Sequence, residues 1–363
     1  MGIYIYILVS IIIGHILIKK FKPESFELPY IIFISLQLII ISSLRNISVG
    51  QDTSVYVERF NIISNYTWKD IFSLREIVDF EIGYITLNKA LSLFIFNDQV
   101  FLSIISLILI SSISIYIYQR SDLIWMSLFL FVTLGFFGES MNLFRQMIAI
   151  SILLPSIRCI EKREIFKFTL FVLVASLFHL TAISFFIIYP LSMLKINKNY
   201  LIGLLVFAVS LFMFSDKIIY WGMHLLGYQE YSVNLGEGSG VGMIFMLSFF
   251  LFLALIYRKP TVICSKGNQL NYTSDSISFD IYINILVVAI MINILAINFA
   301  LAGRVMLYFT IHNIILLPKV ISSIDNRRNR IFVSLIILSG VSYYYIFKLL
   351  VDDGSGVVPY LFM

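Results

Sequence analysis

Charge and cysteine are what this chain has least of. Only 13% of its 363 residues are Asp, Glu, Lys or Arg and 60% are hydrophobic, where soluble domains carry about 25% charged residues. So few charges cannot cover a water-soluble surface, which excludes a soluble enzyme. The formal charge of +5 is no nucleic-acid signal, because the basic residues lie between apolar runs and form no single patch. The two cysteines, Cys159 and Cys264, fall beside basic loops; no disulfide is expected, and two thiols cannot build a metal cluster. A Gly-rich nucleotide loop, a His-x-x-x-His zinc pair and a serine hydrolase signature are all missing. Neither a metal nor a cofactor is therefore expected. Gly2 to Ile18 is apolar with no basic residue ahead of it, so it reads as a first span and not as a cleavable signal peptide. No internal repeat is visible.

What is present is a succession of apolar runs from end to end. Candidate spans fall at 2–18, 28–44, 99–118, 121–137, 142–160, 166–179, 180–194, 199–215, 240–257, 279–300, 303–318 and 331–350. The chain is accordingly expected to be an all-α, polytopic integral membrane protein, one transmembrane domain over residues 1–363 with about 12 transmembrane helices. Residues 166–195 are too long for one crossing and short for two at about 1.5 Å per residue, so a re-entrant arm is an alternative there. Of the 26 Lys and Arg residues, 17 fall in the alternate loops that begin after the first span and nine on the other side. The richer side should be cytoplasmic, which puts both termini outside. Two outer segments stand out. Residues 45–98 hold seven acids and five bases, and within them 80–96 reads as an amphipathic helix at the membrane. Residues 216–239 carry Asp216, Trp221, His224 and Tyr231 ahead of a Gly-rich stretch.

Arg145 is costly where it stands. An arginine near a bilayer centre costs about 2.5–3.5 kcal/mol on insertion scales, and less near an interface. Asn142, Arg145, Gln146 and Ala149 follow i, i+3, i+4, i+7 spacing, which predicts one polar helix face. In this topology Arg45, Asp52, Glu81, Glu139, Asn142, Arg145, His179 and Arg304 all gather at the outer leaflet. Three arginines beside acids and a histidine suit a doubly charged anion such as a lipid pyrophosphate, because guanidinium forks match phosphate oxygens. The structural alternative is that Arg45–Asp52 and Glu81–Arg145 are ion pairs tying loops to helices. Asp52, Glu81 and His179 are the candidates for a base, and imidazole has the ordinary pKa best matched to neutral pH.

Several stretches resemble one family in register. Arg45-Asn-Ile-Ser-Val-Gly-Gln-Asp-Thr-Ser-Val-Tyr-Val-Glu-Arg-Phe60 is similar to the segment after the second span of the EpsG-like family, a branch of the Wzy-type O-antigen and exopolysaccharide polymerases. Phe80-Glu-Ile-Gly-Tyr84, Asn142-Leu-Phe-Arg-Gln-Met-Ile-Ala149, Phe178-His-Leu-Thr-Ala182, Arg304-Val-Met-Leu-Tyr-Phe309 and Val358-Pro-Tyr-Leu-Phe362 match further elements in order. The resemblance covers nearly the whole chain. It implies a fold like the C-type membrane glycosyltransferases and glycosyl transfer at the periplasmic face of the bacterial inner membrane. The donor would be a glycan on undecaprenyl pyrophosphate, the acceptor the next lipid-linked repeat unit, and a chain-length regulator an expected partner. Arg45, Asn142, Arg145, Gln146, Arg304 and Tyr308 would bind substrate, with Arg145 and Arg304 on pyrophosphate and Arg45 paired to Asp52 at the mouth. By residue type alone, the aromatic segments 53–79 and 216–239 would read the sugars, since sugar rings stack on aromatic faces. A lipid-linked glycan ligase, a flippase for lipid-linked oligosaccharide and a sugar acyltransferase are the rival readings. The absence of a repeat and the one-sided polar cluster weigh against a transporter.

Overall fold

A computed structural model describes residues 1–21, 26–226, 240–258, 274–351, 353 and 355–363. Among them the chain is helical throughout, with an isolated antiparallel bridge between Arg45 and Phe362 and no strand. The helices are α1 (Gly2–Phe21), α2 (Glu27–Ser43), α3 (Thr53–Ser64), α4 (Ile71–Val78), α5 (Ile82–Leu91), α6 (Asp98–Arg120), α7 (Ile124–Thr133), α8 (Phe136–Asn142), α9 (Phe144–Leu153) and α10 (Ile157–Glu161). They continue with α11 (Ile165–Ser176), α12 (Ile188–Leu191), α13 (Lys198–Leu226), α14 (Val241–Ile256), α15 (Ser274–Ala296), α16 (Ala300–Thr310), α17 (Asn313–Ser322) and α18 (Arg327–Val351).

Among the described residues, five helices are long and apolar enough to cross a membrane, and up to seven spans result if each of two bent pairs counts as one. This is a multi-pass membrane protein. The bent pairs are α7 with α8, at 56°, and Ala302–Thr310 with α17, at 41°. Four further apolar runs form shorter helices, at Glu27–Ser43, Ile165–Ser176, Leu180–Leu191 and Val241–Ile256.

Three expectations change in detail. The run 142–160 is not one helix: α9 begins only at Phe144, after Leu143 takes a non-helical φ of −103° and ψ of 64°, and a 3-10 turn at Leu154–Ser156 interrupts it again around Pro155. Asn142 therefore ends α8 and does not continue the face of Arg145 and Gln146. The helix expected over 80–96 is shorter, because Phe80 precedes it, Glu81 is extended at its N-cap and α5 stops at Leu91. Finally, α13 carries on to Leu226, so 216–226 is helix and not loop; residues 227–239, with Tyr231, lie outside the described residues. The stretch 166–195 breaks at 177–179 and resumes as a 3-10 helix, Leu180–Ile187, ahead of α12.

The described residues cluster into two compact units: residues 1–157, 166–183 and 325–363 in the first, and 158–165 and 184–324 in the second. In the first, α2 lies along α6 through paired serines, Ser35 with Ser114 at 2.7 Å and Ser42 with Ser106 at 2.8 Å. Small hydroxyl residues let helices approach closely and satisfy each other within an apolar medium. The chain end packs on the loop after α2. Asn46 N–H donates to the Leu361 carbonyl at 2.8 Å, Met363 N–H to Leu44 at 3.0 Å and Gly50 N–H to Gly356 at 2.8 Å. Tyr4 and Tyr360 hydroxyls donate to the carbonyls of Val357 and Ile41. In the second unit, α15 is buried over most of Phe279–Ala296, and a two-bond ion pair joins Arg258 to Asp280 at 2.7 Å for each bond.

Candidate functional site

The site is built where two helix breaks of the first unit meet. Helix α4 ends with Asp79 in the left-handed region, φ 54°, a conformation Asp adopts more readily than most side chains. The chain then runs extended through Glu81 before α5 starts. Opposite stands the break after α11. Gly83 N–H donates to the Leu177 carbonyl at 2.8 Å. Leu180 N–H donates to Glu81 Oε1 at 3.1 Å, and His179 Nδ1 lies 3.0 Å from the same oxygen. The other oxygen, Oε2, accepts from Arg145 Nη1 at 2.7 Å, and that nitrogen also reaches toward the Asp79 carbonyl at 3.5 Å.

This docking needs a glycine. A Cβ on residue 83 would stand 2.6 Å from the Leu177 carbonyl oxygen and 2.9 Å from its carbon. The obstacle is backbone, so no rotamer change relieves it. Gly83 is one of the residues that sequence reasoning quoted inside a motif without giving it a task. The same holds for Phe80, which lies beneath Arg145 with the guanidinium 4.3 Å from its ring centroid. Its place beside Glu81 was the available signal.

Burial pushes the Glu81 carboxyl up, but the hydrogen bond from His179, the Arg145 charge and the Leu180 N–H outweigh it and hold it at about 2. Glu81 is thus ionised at neutral pH and can only accept hydrogen bonds. That fixes the neutral His179 as the tautomer with its proton on Nδ1, leaving the Nε2 lone pair free for proton transfer. Arg145, Glu81 and His179 side chains are 23%, 18% and 20% exposed, so each is reachable yet sheltered. Nη1 makes the contacts to Glu81 and Asp79, the guanidinium also hydrogen-bonds Tyr56, and Nε is buried.

The other expected site residues sort differently. Asp52 N–H donates to Asn142 Oδ1 at 2.8 Å, joining the start of α3 to the end of α8. Among the described residues the Asp52 carboxylate has no hydrogen-bond or ion-pair partner. Gln146 is buried. Arg45 does not pair with Asp52. It is fully buried, and Nη1 donates to the Ser42 carbonyl, to Ser42 Oγ at 3.1 Å and to Ser106 Oγ at 3.2 Å. The position just past α2, beside the tail that pairs with residues 44–50, turns the side chain inward. Arg304 and Tyr308 lie on α16 of the second unit, the first exposed and the second buried. Of the two ion pairs weighed from sequence, Glu81–Arg145 forms and Arg45–Asp52 does not. No group of three His, Cys, Asp or Glu among the described residues could hold a metal ion.

Helical spans around a sheltered Arg–Glu–His cluster define a membrane protein with a polar site in one unit. A family model described as the EpsG family matches residues 28–362, and the chain belongs to that family. The family is associated with polysaccharide polymerase-like proteins. No curated protein and no solved structure matches the chain.

Proposed function

We propose that the protein polymerises undecaprenyl-pyrophosphate-linked repeat units at the periplasmic face of a bacterial inner membrane, with both termini on that side and about twelve spans arranged as in C-type membrane glycosyltransferases. A hydroxyl of the acceptor unit attacks the anomeric carbon of the donor glycan. The new glycosidic C–O bond forms, the C–O bond to pyrophosphate breaks, and undecaprenyl pyrophosphate departs with the bonding pair. His179 Nε2 takes the acceptor hydroxyl proton, which makes that oxygen a better nucleophile. Glu81 holds the imidazole by Nδ1–H and stabilises the imidazolium that results. Arg145 meets the negative charge that grows on the leaving pyrophosphate, and prepositioned donors lower the barrier where charge develops.

The observation that carries this reading is one carboxylate shared between a guanidinium and an imidazole. Glu81 itself is too weak a base for the task, at about 2. Its shift makes it the anchor of the other two groups. The half-buried carboxylate of Asp52 is the rival base.

The test is complementation of a strain lacking the gene, with surface glycan resolved on a gel and variants matched for membrane abundance. His179→Ala and Arg145→Ala should collapse the ladder to a single repeat unit while lipid-linked units are still exported. Loss of even the single unit would move the assignment to export or ligation. A normal ladder in His179→Ala with loss in Asp52→Asn would make Asp52 the base.

A further inference from the structure

We infer that Arg45 is a positioning residue for Arg145, acting through a column of aromatic rings and not by touching substrate. The inference rests on the reading of Arg145 as the pyrophosphate-binding residue. The Arg45 guanidinium carbon lies 5.4 Å from the centroid of Phe144. Phe144 stacks on Tyr56 at 4.6 Å and 21°, and Tyr56 lies 5.5 Å from Phe80 at 33°. Arg145 closes the other end, 4.3 Å over Phe80. Two cations therefore bracket three rings, and the rings are almost wholly buried at 0%, 5% and 7% exposure.

Each contact in the column is attractive by its own chemistry. A desolvated guanidinium is drawn to the negative face of a ring, and offset rings hold each other at these spacings. Phe144 and Arg145 are consecutive in the first turn of α9. Whatever fixes the Phe144 ring also fixes the helix start from which Arg145 projects. At the far end Tyr84 packs edge-on to both Tyr56 and Phe80, at 5.7 and 5.4 Å, and seals the side of the column.

Arg45 cannot serve substrate directly from this position. Its exposure is 0%, the tail residues Leu361 and Met363 bond across the backbone beside it, and Ser42 and Ser106 occupy Nη1. Its Nε and Nη2 are buried without a partner. A cation so placed, with no carboxylate against it among the described residues, is poor for stability, because a buried charge left unpaired costs more than an apolar replacement. Stability alone gives no reason for it to be there. Positioning of the ring column accounts for that.

Stability and function should therefore separate. The full-length protein in lipid nanodiscs would be titrated with farnesyl pyrophosphate as the probe, beside a thermal midpoint for each variant. Arg45→Met should weaken binding by about tenfold, the scale of a lost desolvated cation–π contact, while its midpoint stays equal or rises. Phe144→Leu should weaken binding to a similar extent, and the double variant Arg45→Met/Phe144→Leu should be no weaker than either, as for residues acting through one path. Arg45→Lys keeps the charge without the planar face and should show a smaller loss with the same non-additivity, which serves if the Met variant does not fold. Unchanged binding in Arg45→Met, or losses that add in the double variant, would overturn the inference. Unchanged binding in Arg145→Ala would instead overturn the site on which it rests.

Discussion

Two arginine–carboxylate pairs, one in each unit, have nearly the same bond length and exposure and are built to different ends. Arg258 meets Asp280 with two parallel bonds of 2.7 Å, Nε to Oδ1 and Nη2 to Oδ2, and spends Nη1 on the Ile196 carbonyl at 2.9 Å. That fork is closed, with both carboxylate oxygens given to one partner. Arg145 gives Glu81 a single bond of 2.7 Å, and the second oxygen goes to His179 and the Leu180 N–H. A bidentate pair is the better stabiliser. The monodentate one ties an imidazole and a backbone N–H to the same charge. An ion pair that is incomplete, part-exposed and shared with a titratable group is thus the one to suspect of chemistry.

The sharpest way to break the comparison is to remove the shared charge. Glu81→Gln keeps the shape but leaves both His179 and Arg145 without their anion. Polymer formation should fall by about 100-fold or more, the scale of a lost general base, measured as consumption of lipid-linked units in membrane vesicles. A loss under threefold would make Glu81–Arg145 a tether like Arg258–Asp280.

Gly83→Ala comes next. The added methyl must displace the Leu177 backbone, and overpacking of this kind costs about 1–3 kcal/mol. Separation of 177–180 from α5 should move His179 off Glu81 and shorten the surface ladder while the protein still reaches the membrane. Ladders of full length in Gly83→Ala would show that the two breaks need not be in register.

Glu81 also gives a smaller, pH-dependent effect. Its ordinary carboxyl value of 4.5 drops to about 2 in the folded protein. Unfolding therefore takes up a proton between those values. The stabilisation is complete above 4.5 and is lost as pH falls toward 2, a contribution on the order of 2 kcal/mol for a well-sheltered carboxylate. Wild-type thermal midpoints should decline more steeply than those of Glu81→Gln as pH is lowered from about 5 to about 2.5, a window set by such a shift. Parallel declines would mean that Glu81 is not held in its ionised form by the fold.

Much of this site was legible in the chain, and the illegible part has physical causes. Glu81, Arg145 and His179 announce themselves because charged groups among apolar runs are expensive, and the structure joins them across 98 positions of sequence. Arg45 announces itself for the same reason, yet sequence gives no sign of which way it turns. That direction is set by Ser106 and by the chain end more than 300 residues away, contacts that no local pattern encodes. The helix break at Leu143 escaped too. Leu is an ordinary helix residue, so periodicity ran straight through it, and tertiary packing decided otherwise. Gly83 and Phe80 stood in a quoted motif, but close backbone approach and a platform beneath a cation appear only once the partner is known.

The smallest effect belongs to the closed pair, and it tests whether exposure or wiring separates the two. Arg258 and Asp280 side chains are 28% and 27% exposed, against 23% and 18% for Arg145 and Glu81. If shelter from water alone made the difference, breaking either pair should hurt in proportion. Wiring predicts otherwise. Asp280→Asn leaves Arg258 bonded to the Ile196 carbonyl and should cost about 0–1 kcal/mol, the range for part-exposed pairs, with turnover of lipid-linked units within about twofold of wild type, or under 0.5 kcal/mol in the barrier. The thermal midpoint would then move more than the activity does. In Glu81→Gln the order should invert, with activity lost and the midpoint at neutral pH shifted only by the few degrees such a contribution supplies. A loss of turnover in Asp280→Asn as large as in Glu81→Gln would mean that the second unit's ion pair is also coupled to the chemistry.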